Sequence, residues 1–202
     1  MTHAATWLLD ILALIYLVLF FPAPFFWLII HSGIHIWRKF GNRSFWIALP
    51  LWAAFAAFLL VERHWIFAHR MERNAFTFAA GTVLTVCGLW LGQRVHREFG
   101  LRRLAGVPEI NPQSNVGGVV SHGLYARLRH PRYLAYMTTM LGFALLTGAA
   151  GIFALAFVTI LMYLIVAPLE ERELHEHYGA EYEQYARRVP RFLPHLRRNL
   201  RT

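Results

Sequence analysis

Between Tyr133 and Leu169 the chain passes through two apolar segments, residues 133–147 and 152–169, parted only by a small-residue turn at 148–151. Lipid offers no hydrogen bonds, so the backbone N–H and C=O groups of such segments must be satisfied inside the protein, and an α-helix does this within one segment. The pair therefore reads as a helical hairpin that crosses a bilayer and returns. An even number of crossings brings the chain back to the side it left. The polar residues before the hairpin, 121–133, and those after it, from Glu170 and Glu171 onward, should meet at one membrane face. That meeting point is the place to look for chemistry.

Three more apolar segments precede the hairpin: 7–30, 45–61 and 76–91. Of the 202 residues, 57% are hydrophobic and only 15% charged, and the mean hydropathy is +0.40, a departure from soluble averages toward a membrane protein. The expectation is an all-α integral membrane protein of about five transmembrane helices in a single membrane domain. Residues 1–92 would supply N-terminal transmembrane helices, and 93–202 a catalytic half with the C-terminal hairpin and a cytoplasmic cofactor pocket. Pro22 and Pro24 make the first segment either a kinked span or two half-segments that turn back. It is too long for a signal-peptide core, so it is expected to stay in the mature protein. Asp10 reads as interfacial. His31 and His35 lie four apart on a helical face, a spacing that suits metal, but without a third ligand they read as interfacial histidines and no metal is expected. Gly88 and Gly92 have the spacing that lets helix backbones approach closely. The single Cys87 excludes a disulfide or a thiolate cluster.

The formal net charge is +9, and Lys39 is the only lysine. The arginines sit between apolar segments instead of forming one run, which disfavours nucleic acid and favours anionic lipid headgroups as partners. Of the 20 basic residues, 17 fall in the connections at 38–43 and 94–132 and in the tail after Leu169, against three between Glu62 and Asn74. By the positive-inside rule the first three regions, and the C-terminus, face the cytoplasm, which implies a plasma (inner) membrane location.

Within the polar clusters, Pro131 suits the first position of a helix, with His130 at its cap. The free N–H groups of that helix end, with His130, would suit an anionic group. Pro168 disfavours helical geometry at Ala167 and is expected to start a new helix carrying Glu170 and Glu171 in its first turn. Carboxylates for a cation, donors for an anion, and Tyr125 and Tyr133 as flat surfaces for a ring make the charge pattern of a zwitterionic amino acid joined to a sulfonium and an adenine. S-adenosyl-L-methionine has that pattern. No Gly-x-Gly-x-x-Gly strand-turn-helix unit and no P-loop is present, which excludes a soluble Rossmann-type enzyme.

Gly123-Leu124-Tyr125, Arg129-His130-Pro131, Tyr133, Glu170-Glu171, Tyr178-Gly179, Tyr182, Tyr185 and Val189-Pro190-Arg191 closely resemble the C-terminal half of the isoprenylcysteine carboxyl methyltransferase family, with a weaker likeness to phosphatidylethanolamine N-methyltransferases. The likeness covers roughly residues 115–194. It implies an integral membrane enzyme that binds S-adenosyl-L-methionine on the cytoplasmic side and methylates a lipophilic small-molecule or lipidated substrate arriving from the bilayer, with carboxyl O-methylation of an isoprenylcysteine-like compound as the leading expectation. Carried over by position, Val120, Gly123, Leu124, Tyr125, His130, Pro131, Tyr133 and Glu170 would bind the cofactor. Arg129, Glu171 and His122 are the catalytic candidates, Glu171 and His122 as bases for an amine or thiol acceptor. The eukaryotic members place an arginine one turn before the Glu pair; this chain has Val166-Ala167-Pro168 there. Val166 and Ala167 are expected to border a lipid-side opening. A phospholipid amine and a small hydrophobic thiol are the alternative acceptors, and a non-catalytic membrane scaffold or lipid-binding protein is the rival class.

Overall fold

The computed structural model describes residues 3–99 and 118–193. Among them are nine α-helices and no β-strand: α1 (His3–Phe20), α2 (Ala23–Ser32), α3 (Ile34–Phe40), α4 (Ala48–Val61), α5 (Arg63–Ala68), α6 (Ala75–Phe99), α7 (Pro131–Thr147), α8 (Ala150–Tyr178) and α9 (Ala180–Arg188). Short 3-10 turns occupy Gly41–Ile47 and Gly123–Ala126. Much of the connection expected between Arg94 and Arg132, with Pro108, Pro112 and Gly117, lies outside the described residues. The division expected at residues 92 and 93 falls inside α6.

Three helical stretches are long and apolar enough to cross a membrane: His3–Ser32, Ala75–Glu98 and Ala150–Tyr178. The other two expected spans appear as α4, of 14 residues, and α7, of 17. The first stretch combines α1 and α2. Phe21 donates to Leu17 and Phe26 to Pro22, so the backbone ladder continues on both sides of the bend. Its two ends lie at opposite ends of the bundle. Asp10 pairs with Arg70 beside the α7–α8 turn, while His31 pairs with Glu173 near the far end of α8. The segment is therefore a kinked traverse and not a re-entrant pair.

Small residues decide how closely α6 and α7 pack. A β-carbon on Gly88 would lie 2.2 Å from Thr139 Oγ1 and 2.7 Å from its backbone nitrogen, and one on Gly142 would lie 2.6 Å from the backbone nitrogen of Thr85. Gly92, expected to share this role with Gly88, faces only Ala135 Cβ, at 3.8 Å. The turn after α7 is closed by Gly148, whose φ of +66° favours glycine and whose N–H reaches Ala144.

Helix α8 corrects the expectation at Pro168: it runs unbroken from Ala150 to Tyr178 with the proline inside it. An interior proline costs about 3 kcal/mol. On one side of it Tyr163, Val166 and Ala167 are buried against Phe26, Trp27 and Tyr133, and on the other Glu170 and Glu171 are bound to the segment around α7's start. Full burial of one large apolar side chain contributes about 1.5–3 kcal/mol, so anchoring on both flanks outweighs the proline. Glu170 and Glu171 thus sit on a continuous helix rather than at a helix start. At about 1.5 Å per residue the apolar part of α8 up to Leu169 spans roughly 30 Å, enough for a bilayer core, which puts the Glu pair at its edge.

Candidate functional site

The two polar segments flanking the hairpin do meet. The backbone N–H of Arg129 donates to Pro190 (2.9 Å) and that of His130 to Arg191 (3.1 Å), so the segment after α9 runs beside the entry to α7. Tyr185, from α9, donates its hydroxyl to the Tyr125 carbonyl at 2.8 Å. Helix α9 begins after Gly179, whose φ of +54° turns the chain back toward the site. Pro131 holds the first position of α7 and His130 its cap, as the sequence indicates.

Glu171 is the hub of the cluster. Its Oε1 accepts from His130 Nε2 and from Arg191 Nε, each at 2.9 Å, and its Oε2 accepts from Arg191 Nη2 at 2.6 Å and pairs with Arg129 Nη1 at 2.9 Å. Arg191 is therefore bidentate, the stronger geometry for a guanidinium and a carboxylate. Glu170 accepts the Tyr133 hydroxyl on Oε2 at 2.5 Å, and the same oxygen lies 3.5 Å from His130 Nδ1. His130 is only 4% exposed. Its burial disfavours the charged ring, but hydrogen bonds to Glu170 and Glu171 outweigh that and hold its pKa above the ordinary histidine value.

This arrangement redistributes several expected roles. Both ring nitrogens of His130 face carboxylates, so it serves the Glu pair and not an anionic ligand. Tyr133 is 1% exposed and stacks with His130 (5.2 Å between centroids) and Tyr163 (4.4 Å), so its ring offers no surface to a ligand; its hydroxyl positions Glu170 instead. Tyr125 is buried beneath α9. Leu124 gives its backbone N–H to Glu98 Oε2 at 2.7 Å, and Gly123, at φ +59°, lies against the same carboxylate; a β-carbon there would collide with it. Val120 is partly buried, and the N–H of neighbouring Val119 reaches Glu181 on α9. His122 is exposed at the outer rim, whereas Arg129 is bound into the hub. Val166 and Ala167, expected to border a lipid-side opening, are fully buried in the core.

Sequence reasoning missed His31, Glu173 and Arg132. His31 is 3% exposed: its Nδ1 meets Glu173 Oε1 at 2.9 Å and its ring stacks on Trp27. Arg132 is buried with its Cζ 4.9 Å from the centre of Trp27 and 5.2 Å from that of Tyr133. An arginine one place after a helix-starting proline was the available signal for Arg132. His31 gave only its spacing to His35, a metal pattern set aside for want of a third ligand. No cluster of three or more metal-ligating side chains occurs among the described residues.

The donor set suits a zwitterionic ligand. Among the described residues Glu170 is bonded through Oε2, which leaves Oε1 for a cationic group. The buried Arg129 Nε has no partner among the described residues, and an unpartnered guanidinium N–H suits a carboxylate. Beside this cluster a cavity of about 260 Å³ opens among α1, α6 and α7. Tyr16, Phe20, Leu89, Tyr136 and the bare backbone of Gly92 shape it, and Arg132 joins it to the cluster.

Comparison with known proteins gives matches that are by name methyltransferases and metal-resistance proteins. The family model for phospholipid methyltransferase matches residues 76–181. Methanethiol S-methyltransferase 2 of Bradyrhizobium diazoefficiens is 31% identical over 162 residues, which cover 77% of this chain and 54% of that protein. Methanethiol S-methyltransferase of Pseudomonas deceptionensis is 36% identical over 38% of this chain and 28% of its own length. A cobalt-zinc-cadmium resistance protein of Cupriavidus metallidurans is 37% identical over 39% of this chain and 36% of its own. The chain spans about half the length of the first of these relatives and less of the others. No solved structure matches it.

Proposed function

The chain belongs to the phospholipid methyltransferase family, and from that premise we propose that it is an integral membrane methyltransferase that moves a methyl group from S-adenosyl-L-methionine to a small lipophilic acceptor, a thiol in the first instance. The observation that carries this reading is the cluster at the edge of α8: a carboxylate with one uncommitted oxygen beside a buried, unpartnered guanidinium nitrogen. Glu170 Oε1 would take the ammonium of the methyl donor and Arg129 Nε its carboxylate. Val120, Gly123, Leu124, Tyr125 and Pro131 would line the donor's surroundings, with His130, Tyr133 and Glu171 holding Glu170 and Arg129 in place. The donor supplies an electrophilic methyl group on a sulfonium. What the protein adds is orientation and exclusion of water, which suit a direct transfer without a covalent enzyme intermediate.

The choice of acceptor rests on size and on the relatives. An apolar cavity of about 150 Å³ already holds a benzene, whereas drug-sized ligands use roughly 300–1,000 Å³. The cavity of about 260 Å³ among α1, α6 and α7 therefore suits a small apolar molecule better than a long prenyl chain. The names of two relatives, which act on methanethiol, favour the same alternative over carboxyl methylation of an isoprenylcysteine-like substrate. Five membrane crossings, a catalytic half at 93–202, a cytoplasmic site and C-terminus, a plasma (inner) membrane location and contacts between the exposed arginines and anionic headgroups complete the proposal.

The test uses the purified protein in lipid nanodiscs. It should bind S-adenosyl-L-methionine by calorimetry and transfer labelled methyl to short alkanethiols. Gly92→Leu places a side chain into the cavity where a β-carbon meets only Ala135, so it should raise the thiol KM about tenfold, equivalent to about 1.4 kcal/mol, with donor affinity within about threefold. Failure to bind the donor would overturn the reading. Transfer to a prenylcysteine but to no thiol would replace the acceptor.

A further inference from the structure

The cavity among α1, α6 and α7 has a charged end and an uncharged one. Helix α7 lines it with Arg132, Ala135, Tyr136 and Thr139, the spacing of a single helical face. On α6, Gly88 meets Thr139 and Gly92 meets Ala135, so α6 follows the same stripe toward the start of α7. Arg132 comes directly after Pro131 in the first turn of α7, which places it at the end of the stripe nearest the cluster. From Thr139 to Arg132 the stripe is roughly 10 Å long at 1.5 Å per residue, the length of a short alkyl chain. Gln93 and His96, farther along α6, also line the cavity and are exposed, so its wall at the charged end extends to the surface.

Arg132 is 7% exposed, and a cation buried so deeply needs compensation. Its Cζ lies 4.9 Å from the centre of the Trp27 ring and 5.2 Å from that of Tyr133, and such ring faces attract a cation without cancelling its charge. Glu170 of α8 acts on it as well. The Tyr133 hydroxyl, on the residue next to Arg132, binds that carboxylate at 2.5 Å. Arg132 is thus part of the wall of the cavity and, through Tyr133, a neighbour of the carboxylate assigned to the donor. Once the donor's ammonium occupies Glu170 Oε1, that carboxylate is shared with a second cation, and the guanidinium's field favours a negative group in the cavity it lines.

We propose that Arg132 forms an anion subsite at the charged end of the acceptor cavity, so that the acceptor is a short apolar chain with one acidic head group, held and methylated as its anion. This deepens the thiol reading above and rests on it. An alkanethiol arrives protonated, the thiolate is the nucleophile, and a neighbouring arginine favours the thiolate. Glu171 and His122, the bases expected from the sequence, do not line the cavity. With Arg132 stabilising the anion, a dedicated base is not required. The acceptor's S–H bond breaks, its proton passes to water at the exposed end, and its electron pair stays on sulfur beside the guanidinium. That sulfur then takes the methyl group as the bond between the methyl carbon and the donor sulfur breaks, with its pair left on the donor as a neutral thioether.

The test has an arm that needs neither turnover nor a variant. Detergent-purified protein mixed with 1-butanethiol should show thiolate absorbance in a difference spectrum near neutral pH. Butanoate, of similar length and negatively charged, should suppress that signal, and butylamine should not. Arg132→Met should lose the signal, Arg132→Lys should keep part of it, and the donor should bind Arg132→Met no more weakly than wild type. In turnover Arg132→Met should lower kcat/KM for the thiol roughly tenfold to a hundredfold, the range for a lost hydrogen bond to a charged group. If Arg132→Met fails to fold, the contrast between butanoate and butylamine on the wild-type protein carries the test. No thiolate signal in wild type, equal signals in wild type and Arg132→Met, or suppression by butylamine as strong as by butanoate would overturn the subsite. A thiolate signal suppressed by butanoate, without methyl transfer to any acceptor, would leave the subsite standing and remove the proposed reaction instead.

Discussion

The two ends of the bundle use the same chemistry to opposite effect. At the α7–α8 turn, Arg70 makes a bidentate pair with Asp10 and donates to the Thr147 carbonyl, while Arg73 donates to Leu146, so the last carbonyls of α7 are satisfied. At the opposite end, Glu170, Glu171 and Glu173 gather His31, Arg129, His130 and Arg191. Of the buried polar side-chain atoms without a partner among the described residues, His31 Nε2 and Arg129 Nε lie at the α8 edge with Tyr163 close by, and Thr85 Oγ1 lies in the packed interior against Gly142. Arginine and carboxylate at a membrane edge are thus not a functional signal in themselves. What marks a site is charge that is held in place and still incompletely paired.

The largest effect expected from breaking this contrast is at the hub. Glu171→Ala leaves Arg129, Arg191 and His130 together without their shared anion. Removing one partner of a buried ion pair costs about 3–5 kcal/mol. Thermal unfolding in detergent should drop sharply, and donor binding should fall with it. A melting temperature within a few degrees of wild type would mean that the cations disperse to water and that the hub is not an anchor.

Much of this end is legible in the sequence because it is written by local rules. Pro131 after His130 announces a helix start, and two apolar segments parted by the turn at 148–151 bring the clusters to one face. Two things are not legible. The sequence alone favours a break at Pro168, and only the burial of Tyr163, Val166 and Ala167 with the anchoring of Glu170 and Glu171 carries α8 through it. His31 lies 142 residues from its partner Glu173, and its neighbours in sequence resemble any apolar span, so no local pattern links the two. The cavity is hidden for a related reason. Gly88 and Gly92 look equivalent in spacing, but Gly88 is pressed against Thr139 while Gly92 stands clear.

Glu170→Gln sharpens the contrast with a smaller effect. The amide keeps an oxygen for the Tyr133 hydroxyl and is nearly isosteric, so the fold should hold. The charge that would face the donor's ammonium is lost. A hydrogen bond to a charged group is worth about 1.5–3 kcal/mol, so the donor dissociation constant should rise roughly tenfold to a hundredfold with the melting temperature little changed. If both fall together, Glu170 belongs with Glu171 as part of the anchor. Unchanged donor affinity would remove Glu170 from the site.

The smallest effect belongs to the other end. Arg70 is about one-third exposed, and exposed ion pairs contribute about 0.2–1 kcal/mol. Its hydrogen bond to Thr147 adds to that, but this carbonyl sits at a helix end where water can replace the guanidinium. Arg70→Ala should therefore lower the melting temperature only slightly. Donor affinity should stay within about threefold, because Asp10 and Thr147 lie at the opposite end of the traverse from His31 and of the hairpin from Glu170. The informative measurement is the pair of numbers taken on one preparation. A loss of donor affinity as large as that of Glu170→Gln, with the fold intact, would mean that the two ends are coupled along α8 and that the closed end tunes the open one.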